Sequence, residues 1–179
     1  KKMWSQLDIL LDREAQESFM EFYGLLGIVA VKFAPLEARL RDLLSTLIHS
    51  EDELMTATLT QGLDLSRTVE LIKKVGRIRL HDTARLYELT SAVNSLRQER
   101  NAFVHGIWQI SASATGSIEA TCSRPKIDYE ENAHSKQWTQ RLARQPVSLE
   151  MLVQMAIRAT ELSRITDELT EQAAEESSP

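Results

Sequence analysis

Leu89, Val93, Leu96 and Phe103 recur at the spacing of one side of an α-helix, and the pattern stops at Gly106. Counting about 100° per residue from Leu96 places Leu89 at about 20°, Val93 at about 60° and Phe103 at about −20°. Such a stripe has to be covered by other apolar surface. Leu86 extends it backwards, and Asp82 stands where an N-cap belongs. After Gly106 the period changes. Residues 107–123, IWQISASATGSIEATCS, alternate in short runs about a glycine and predict a β-hairpin turning near Thr115–Gly116. A helix handing over directly to a hairpin restricts the fold class to mainly α: a helical bundle with a small β-hairpin insertion at about 107–123.

The rest of the chain supplies the other helices. Trp4, Leu7, Leu10, Leu11, Ala15, Phe19 and Phe22 are spaced mostly by three and four. GLLG (24–27) reads as a joint or a close helix crossing. Residues 25–34 alone fit a buried strand or a helix. LEARLRDLLSTLI (36–48) is helical and Pro35 suits a first turn, so one long helical region over 18–48 is predicted. EDE (51–53) opens a shorter segment ending near Gly62. Ser66 reads as the N-cap of a helix carrying Val69, Leu71, Ile72 and Val75, closed by Gly76. Pro125 to Gln145 reads as irregular and polar. Ser148 caps a last helix with Glu150 in its first turn and Leu152, Val153, Ile157, Leu162, Ile165 and Leu169 on its apolar face. The acidic tail, about 174–179, is expected to fray. No domain break or repeat is evident, so residues 1–179 are expected to form a single domain.

Charge narrows the function classes. The net charge is −5, which excludes a broadly basic nucleic-acid-binding surface but not a local patch. Residues 1–66 carry a net −5, residues 67–105 a net +4 and residues 106–179 a net −4. Lys73, Lys74, Arg77 and Arg79 lie in the positive part. Cys122 is the single cysteine, so no internal disulfide or cysteine metal cluster is possible. This fits a reducing compartment, and a cytoplasmic location is expected. The start, KKMW, shows no signal-peptide pattern and reads as trimmed or tagged. The apolar run LLGIVAV (25–31), flanked by Glu21 and Lys32, is too short to span a bilayer, so no membrane partner is expected. His49, His81 and His134 have no metal-like spacing with each other or with Cys122, so no metal and no cofactor are expected. SEDE (50–53) reads as a solvated acidic turn, GLLG is no phosphate loop, and there is no G-x-S-x-G. Trp4, Trp108 and Trp138 read as packing residues.

The polar residues at the end of the stripe are the exception to this ordinary picture. Arg100 falls at about 40°, inside the apolar stripe, where an arginine is costly to bury without a partner. Asn101 and His105 are four apart and stack on the polar face, with Arg97 extending the row. Two readings of Arg100 follow: it pairs with a core carboxylate, Glu37 being the candidate, or it faces a second subunit. Two readings of His105 follow as well: a helix C-terminal trim favoured by the dipole, or a proton-transfer group. Arg100 and His105 diverge by about 140° on a regular helix, which favours a two-fold dimer uniting two copies.

Arg100-Asn101-Ala102-Phe103-Val104-His105 resembles the R-x4-6-H motif of HEPN domains (higher eukaryotes and prokaryotes nucleotide-binding), in the variant with a polar residue after the arginine. GLLGIVAVKFAPLEARLRDLL (24–44) is similar to an early helix of that family, and the resemblance covers about residues 18–172. It implies a small helical bundle that dimerises and acts as a metal-independent endoribonuclease, in a toxin, defence or RNA-processing setting. It also implies a cognate antitoxin or regulatory protein as a further partner. Other members are non-catalytic modules that bind a nucleotide or a partner protein. On this resemblance Arg100, Asn101 and His105 are the catalytic candidates, and Lys73, Lys74, Arg77 and Arg79 would guide an RNA backbone. The hairpin insertion and the net acidity depart from the family pattern.

Overall fold

The computed structural model describes residues 13–49, 52–112, 118–132 and 135–176. It is mainly α with a small antiparallel sheet. The order is α1 (Arg13–Ile48), α2 (Glu53–Thr60), α3 (Leu65–Arg79), α4 (Ala84–His105), β1 (Ile107–Ala112), β2 (Ile118–Asn132), β3 (Ser135–Val147) and α5 (Leu149–Glu176). The chain divides into two compact units. One takes the residues up to Gly27 with Asn101–Leu152, the other Ile28–Arg100 with the residues from Val153 on.

The all-helical unit is built from α2, α3 and the greater parts of α1, α4 and α5. Its core includes Phe33, Leu36, Leu40, Ile72, Leu89 and Leu96, all essentially inaccessible to solvent. The stripe expected on α4 is therefore the buried face. Helix starts follow local chemistry: Asp52 accepts from the Met55 amide at 3.0 Å and Asp64 from the Arg67 amide at 2.8 Å. At α4 the first turn closes on Thr83, so Asp82, the expected cap, lies one residue before the cap position and accepts from the Ala84 amide at 2.9 Å. Asp64, and not Ser66, is the cap of α3, because the helix starts at Leu65. Gly76 does not close α3 either. It is buried inside the helix, and a Cβ there would lie 2.4 Å from Leu86 Cδ2, so the missing side chain lets α3 and α4 approach. Part-exposed ion pairs cross between helices: Arg39 with Asp167 at 2.7 Å, Arg158 with Glu99 at 2.9 Å, and Arg85 with Glu168. At this exposure each contributes at most about 1 kcal/mol, so they set orientation more than stability.

α1 runs unbroken for 36 residues. Among the described residues GLLG makes no joint and no crossing: Gly24 and Gly27 sit mid-helix, and a Cβ on either would meet nothing within 4 Å. Pro35 lies in the interior of the helix and not in a first turn. It removes the donor for the Val31 carbonyl. Val31 and Pro35 both face outward, where water can take the place of that donor. The stretch Phe19–Ile48, with mean hydropathy 1.5, is long and apolar enough to cross a membrane by length and composition. The bilayer argument from residues 25–31 thus holds for that run alone. α5 continues through Glu176 with Ala173 buried, so the tail is helical further than expected, and Glu176 accepts from the His81 amide at 3.0 Å.

The second unit contains the sheet, in the order β1-β2-β3. Ile107 pairs with Ser123 and Ala112 with Ile118, so the expected hairpin forms; its turn lies outside the described residues. β2 does not stop there. It continues to Asn132 and pairs with β3 from Ala120↔Val147 to Asn132↔Ser135. The segment 125–145, expected to be irregular, is instead most of two long paired strands. Its residues are mainly polar, so no hydrophobic alternation announces them, and backbone pairing builds the ladder. Pro125 is compatible because β1 ends opposite Ser123; beyond that point β2 has only β3 as a neighbour, and the missing amide can face the unpaired side.

Gly76→Ala sets an overpacking cost of about 1–3 kcal/mol against a gain of about 1 kcal/mol in helix propensity, so a net loss of up to about 2 kcal/mol is expected. Urea unfolding followed by helical circular dichroism measures it, and a raised midpoint would show that the approach of α3 to α4 does not depend on this glycine.

Candidate functional site

The sequence motif forms the last six residues of α4, which ends at His105. Arg100 belongs to the all-helical unit; Asn101 to His105 belong to the unit containing the sheet.

Arg100 has 30% of its side chain exposed, and its Nη2 lies 3.8 Å from Glu37 Oε1. Its guanidinium also sits over the Phe33 ring, 5.5 Å from the centroid, within cation–π range. Phe33 and Glu37 are four apart on α1, so one helix face offers an aromatic platform and a carboxylate to the same arginine. Glu37 also stands 4.0 Å from Arg41 Nη2. One carboxylate is thus shared loosely by two guanidiniums. The carboxylate expected from sequence as the internal partner is the one found beside Arg100. The preceding residue, Glu99, is held more tightly: Arg158 Nη1 donates to both its oxygens, at 3.0 and 2.9 Å. Arg97, one turn before Asn101, is half-buried, and its Nε makes no hydrogen bond among the described residues.

The end of α4 is built differently. A helix C-terminus leaves four carbonyls without intrahelical donors. Two of them are satisfied by side chains of the sheet: the Cys122 thiol donates to the Ala102 carbonyl at 3.2 Å, and the Trp108 indole donates to the Phe103 carbonyl at 2.8 Å. Trp108 is fixed in turn by an edge-on contact with Phe22, 5.3 Å between centroids, and by Phe103 at 5.5 Å. A Cβ on Gly106 would fall 2.1 Å from Cys122 Sγ and 2.5 Å from the Ala102 carbonyl oxygen, so only glycine fits between helix and sheet. Cys122 is buried, and desolvation pushes its thiol pKa above the usual value against a smaller opposing effect from Arg124. It is a packing and capping group, poorly suited to be a nucleophile.

His105 is exposed and makes no hydrogen bond among the described residues. It meets no terminal carbonyl among them, while its place in the last turn of α4 is where the dipole reading puts it. Asn101 is half-buried, one turn before His105 on the same helix.

The four upstream cations do not share one face. From Lys73 as zero, Lys74 falls at about 100°, Arg77 at about 40° and Arg79 at about 240° around α3. Lys74 is bound to Glu70 at 2.7 Å, and Glu70 also takes Arg67 at 2.8 Å; these contacts hold the Glu70 carboxyl below its usual pKa. Arg77 and Arg79 are exposed in the last turn of α3, where a cation suits the helix dipole. Among the described residues no three histidine, cysteine or acidic side chains gather to hold a metal ion. His134 lies outside those residues, while Asp52 of the acidic SEDE run serves as a helix cap.

Trp108 packs as expected, but sequence reasoning missed its capping role and the roles of Phe33 and Cys122. The four-residue spacing of Phe33 and Glu37 was a usable signal. The two capping contacts depend on the pairing of Trp108 with Cys122 across β1 and β2, which composition does not reveal. No family model matches the chain, and no curated protein or solved structure matches it either.

Trp108→Phe keeps a ring beside Phe22 but removes the indole donor. It is expected to cost about 1 kcal/mol in urea unfolding. His105→Ala is expected to stay within about 0.5 kcal/mol of the parent, as for other exposed positions. A large loss for the histidine variant would show that the imidazole supports the fold.

Proposed function

We propose that the chain is a metal-independent endoribonuclease of the HEPN kind, acting through Arg100, Asn101 and His105. The observation that carries the reading is the exposed His105 on a helix end whose capping is supplied by Trp108 and Cys122. The resemblance of the six-residue motif supplies the reaction class.

The chemistry asks little more than these groups. The 2′-hydroxyl of a ribose loses a proton and its oxygen attacks the adjacent phosphorus. The P–O bond to the next nucleotide's 5′-oxygen breaks, and that oxygen takes a proton. The products are a 2′,3′-cyclic phosphate and a 5′-hydroxyl. An imidazole suits either proton transfer near neutral pH. A guanidinium stabilises the charge on the phosphorane-like transition state. Arg100 keeps part of its side chain open to solvent, and its 3.8 Å contact with Glu37 is longer than a strong charge-assisted hydrogen bond. A phosphate at shorter range competes with it. Asn101 orients the imidazole or holds a phosphate oxygen.

A second reading has its own observation. Arg100 already has a carboxylate and an aromatic ring as neighbours, which suits a non-catalytic module that binds a nucleotide or a partner protein.

The test is incubation with mixed RNAs in EDTA. The nuclease reading expects cleavage with cyclic-phosphate ends, reduced about 10²-fold or more in His105→Ala and by about 10²–10³ in Arg100→Ala. Cleavage that survives His105→Ala, or that needs added metal, excludes this mechanism. Absence of cleavage across the RNAs moves the conclusion to the module.

A further inference from the structure

Between α1 and α5 lies an open groove that the nuclease reading does not use. It is lined by Lys32, Pro35 and Arg39 of α1 and by Thr160, Ser163 and Arg164 of α5, around a volume of about 150 Å³. All six residues belong to the all-helical unit. Arg39 Nε donates to Asp167 at 2.8 Å, and seven residues back from that pair stand Lys32 and Thr160, so the two helices run side by side in the same direction. In that register Pro35 stands opposite Ser163. A short ring faces a hydroxymethyl group, which leaves the gap, and the long cationic side chains surround it.

The space is small and its charge has one sign. A volume of this size takes one compact group, well short of a drug-sized ligand. Among the described residues the lining holds three cations and no carboxylate. Lys32 is exposed and makes no ion pair among those residues. Arg39 reaches Asp167 through Nε, and neither of its terminal nitrogens makes a hydrogen bond among them. Arg164 is held by Glu161 and Glu168, and Glu168 is shared with Arg85. Four cations, Lys32, Arg39, Arg85 and Arg164, thus stand with three carboxylates, Glu161, Asp167 and Glu168, and Lys32 is the surplus. The Thr160 and Ser163 hydroxyls donate to the Ala156 and Ala159 carbonyls at 3.0 and 2.8 Å. Those carbonyls also accept helix amides, so each hydroxyl can turn to another acceptor without orphaning a backbone group.

We propose that this groove binds one phosphate dianion, either inorganic phosphate or the terminal group of a small phosphorylated molecule whose remainder leaves through the open side. Lys32 and the terminal nitrogens of Arg39 supply the charge-assisted bonds, Thr160 and Ser163 the neutral ones, and Arg164 adds its charge at the rim. The same surroundings disfavour a nucleic-acid strand. Glu161, Asp167 and Glu168 stand beside the lining guanidiniums, and a polyanion laid across the groove would meet them as well as the cations. Arg100, Asn101 and His105 take no part, so the inference does not rest on the nuclease reading and survives its failure.

The experiment is isothermal titration of the whole chain in about 0.15 M chloride, with circular dichroism as the control for folding. The probes are inorganic phosphate, glycerol 3-phosphate and a short 2′-O-methyl oligoribonucleotide without terminal phosphates, which has no 2′-hydroxyl to attack. Phosphate and glycerol 3-phosphate are expected to bind once per chain with dissociation constants of about 1 mM or below. Binding of inorganic phosphate alone would support the free ion as the ligand, and binding of both would support the phosphate group. Lys32→Ala is expected to weaken binding about tenfold and Thr160→Val about threefold, with unchanged helical signal. Arg67→Ala removes the same charge on α3, outside the lining, and is expected to leave binding unchanged. Absence of saturable binding of either phosphate up to about 10 mM overturns the proposal. So does binding that Lys32→Ala leaves intact, or that Arg67→Ala weakens as much, since a general charge effect would do that. Displacement of phosphate by the oligoribonucleotide would assign the groove to nucleic acid and overturn it equally.

Discussion

Gly106 has no space for a side chain, and the arrangement of the motif depends on that contact. The glycine brings Cys122 against the last turn of α4, close enough for the thiol to donate to the Ala102 carbonyl. The same pairing of β1 with β2 sets Trp108 beside Cys122, and the indole serves the Phe103 carbonyl. Helix ends commonly draw their own last residues into capping. Here the sheet supplies two of the donors. His105 ends the helix with its imidazole exposed, on a turn held by the Cys122 and Trp108 contacts.

Arg100 is governed by a different balance. Fully burying a guanidinium costs several kcal/mol, so a charge on an apolar stripe has to find compensation. Among its contacts are the Phe33 ring face and Glu37 at 3.8 Å, and about a third of the side chain remains in water. At this exposure the ion pair contributes less than about 1 kcal/mol, and the ring contact is of similar size. Glu37 is itself shared with Arg41 at 4.0 Å. The tight clamp of Arg158 on Glu99 holds the neighbouring turn.

The helices were legible because burial writes a 3.6-residue period, and the α4 stripe and the Glu37–Arg100 pair follow from it; the Ser148 cap was legible from its residue type, while Asp82 lies one residue before the cap position of α4. Punctuation was less legible. Gly76 reads as a stop in one dimension, whereas its reason is Leu86 on another helix. Pro35 reads as a start, whereas outward exposure lets the helix run through it. The long β2–β3 ladder was invisible for a related reason. Strands are recognised by an apolar face, and this pair is made mainly of polar residues whose order comes from backbone pairing. At the motif, the residue types and their spacing could be read, but the donors that cap the helix end come from β1 and β2 and are brought there only by register.

α1 links the two kinds of feature. Phe33 and Glu37, the neighbours of Arg100, lie four residues apart, and Pro35 lies midway between them in sequence. Its missing amide leaves the Val31 carbonyl without its intrahelical donor, yet the helix runs on, because Pro35 and Val31 face outward where water can serve that carbonyl. The helix therefore keeps the four-residue spacing that brings an aromatic face and a carboxylate to the same guanidinium.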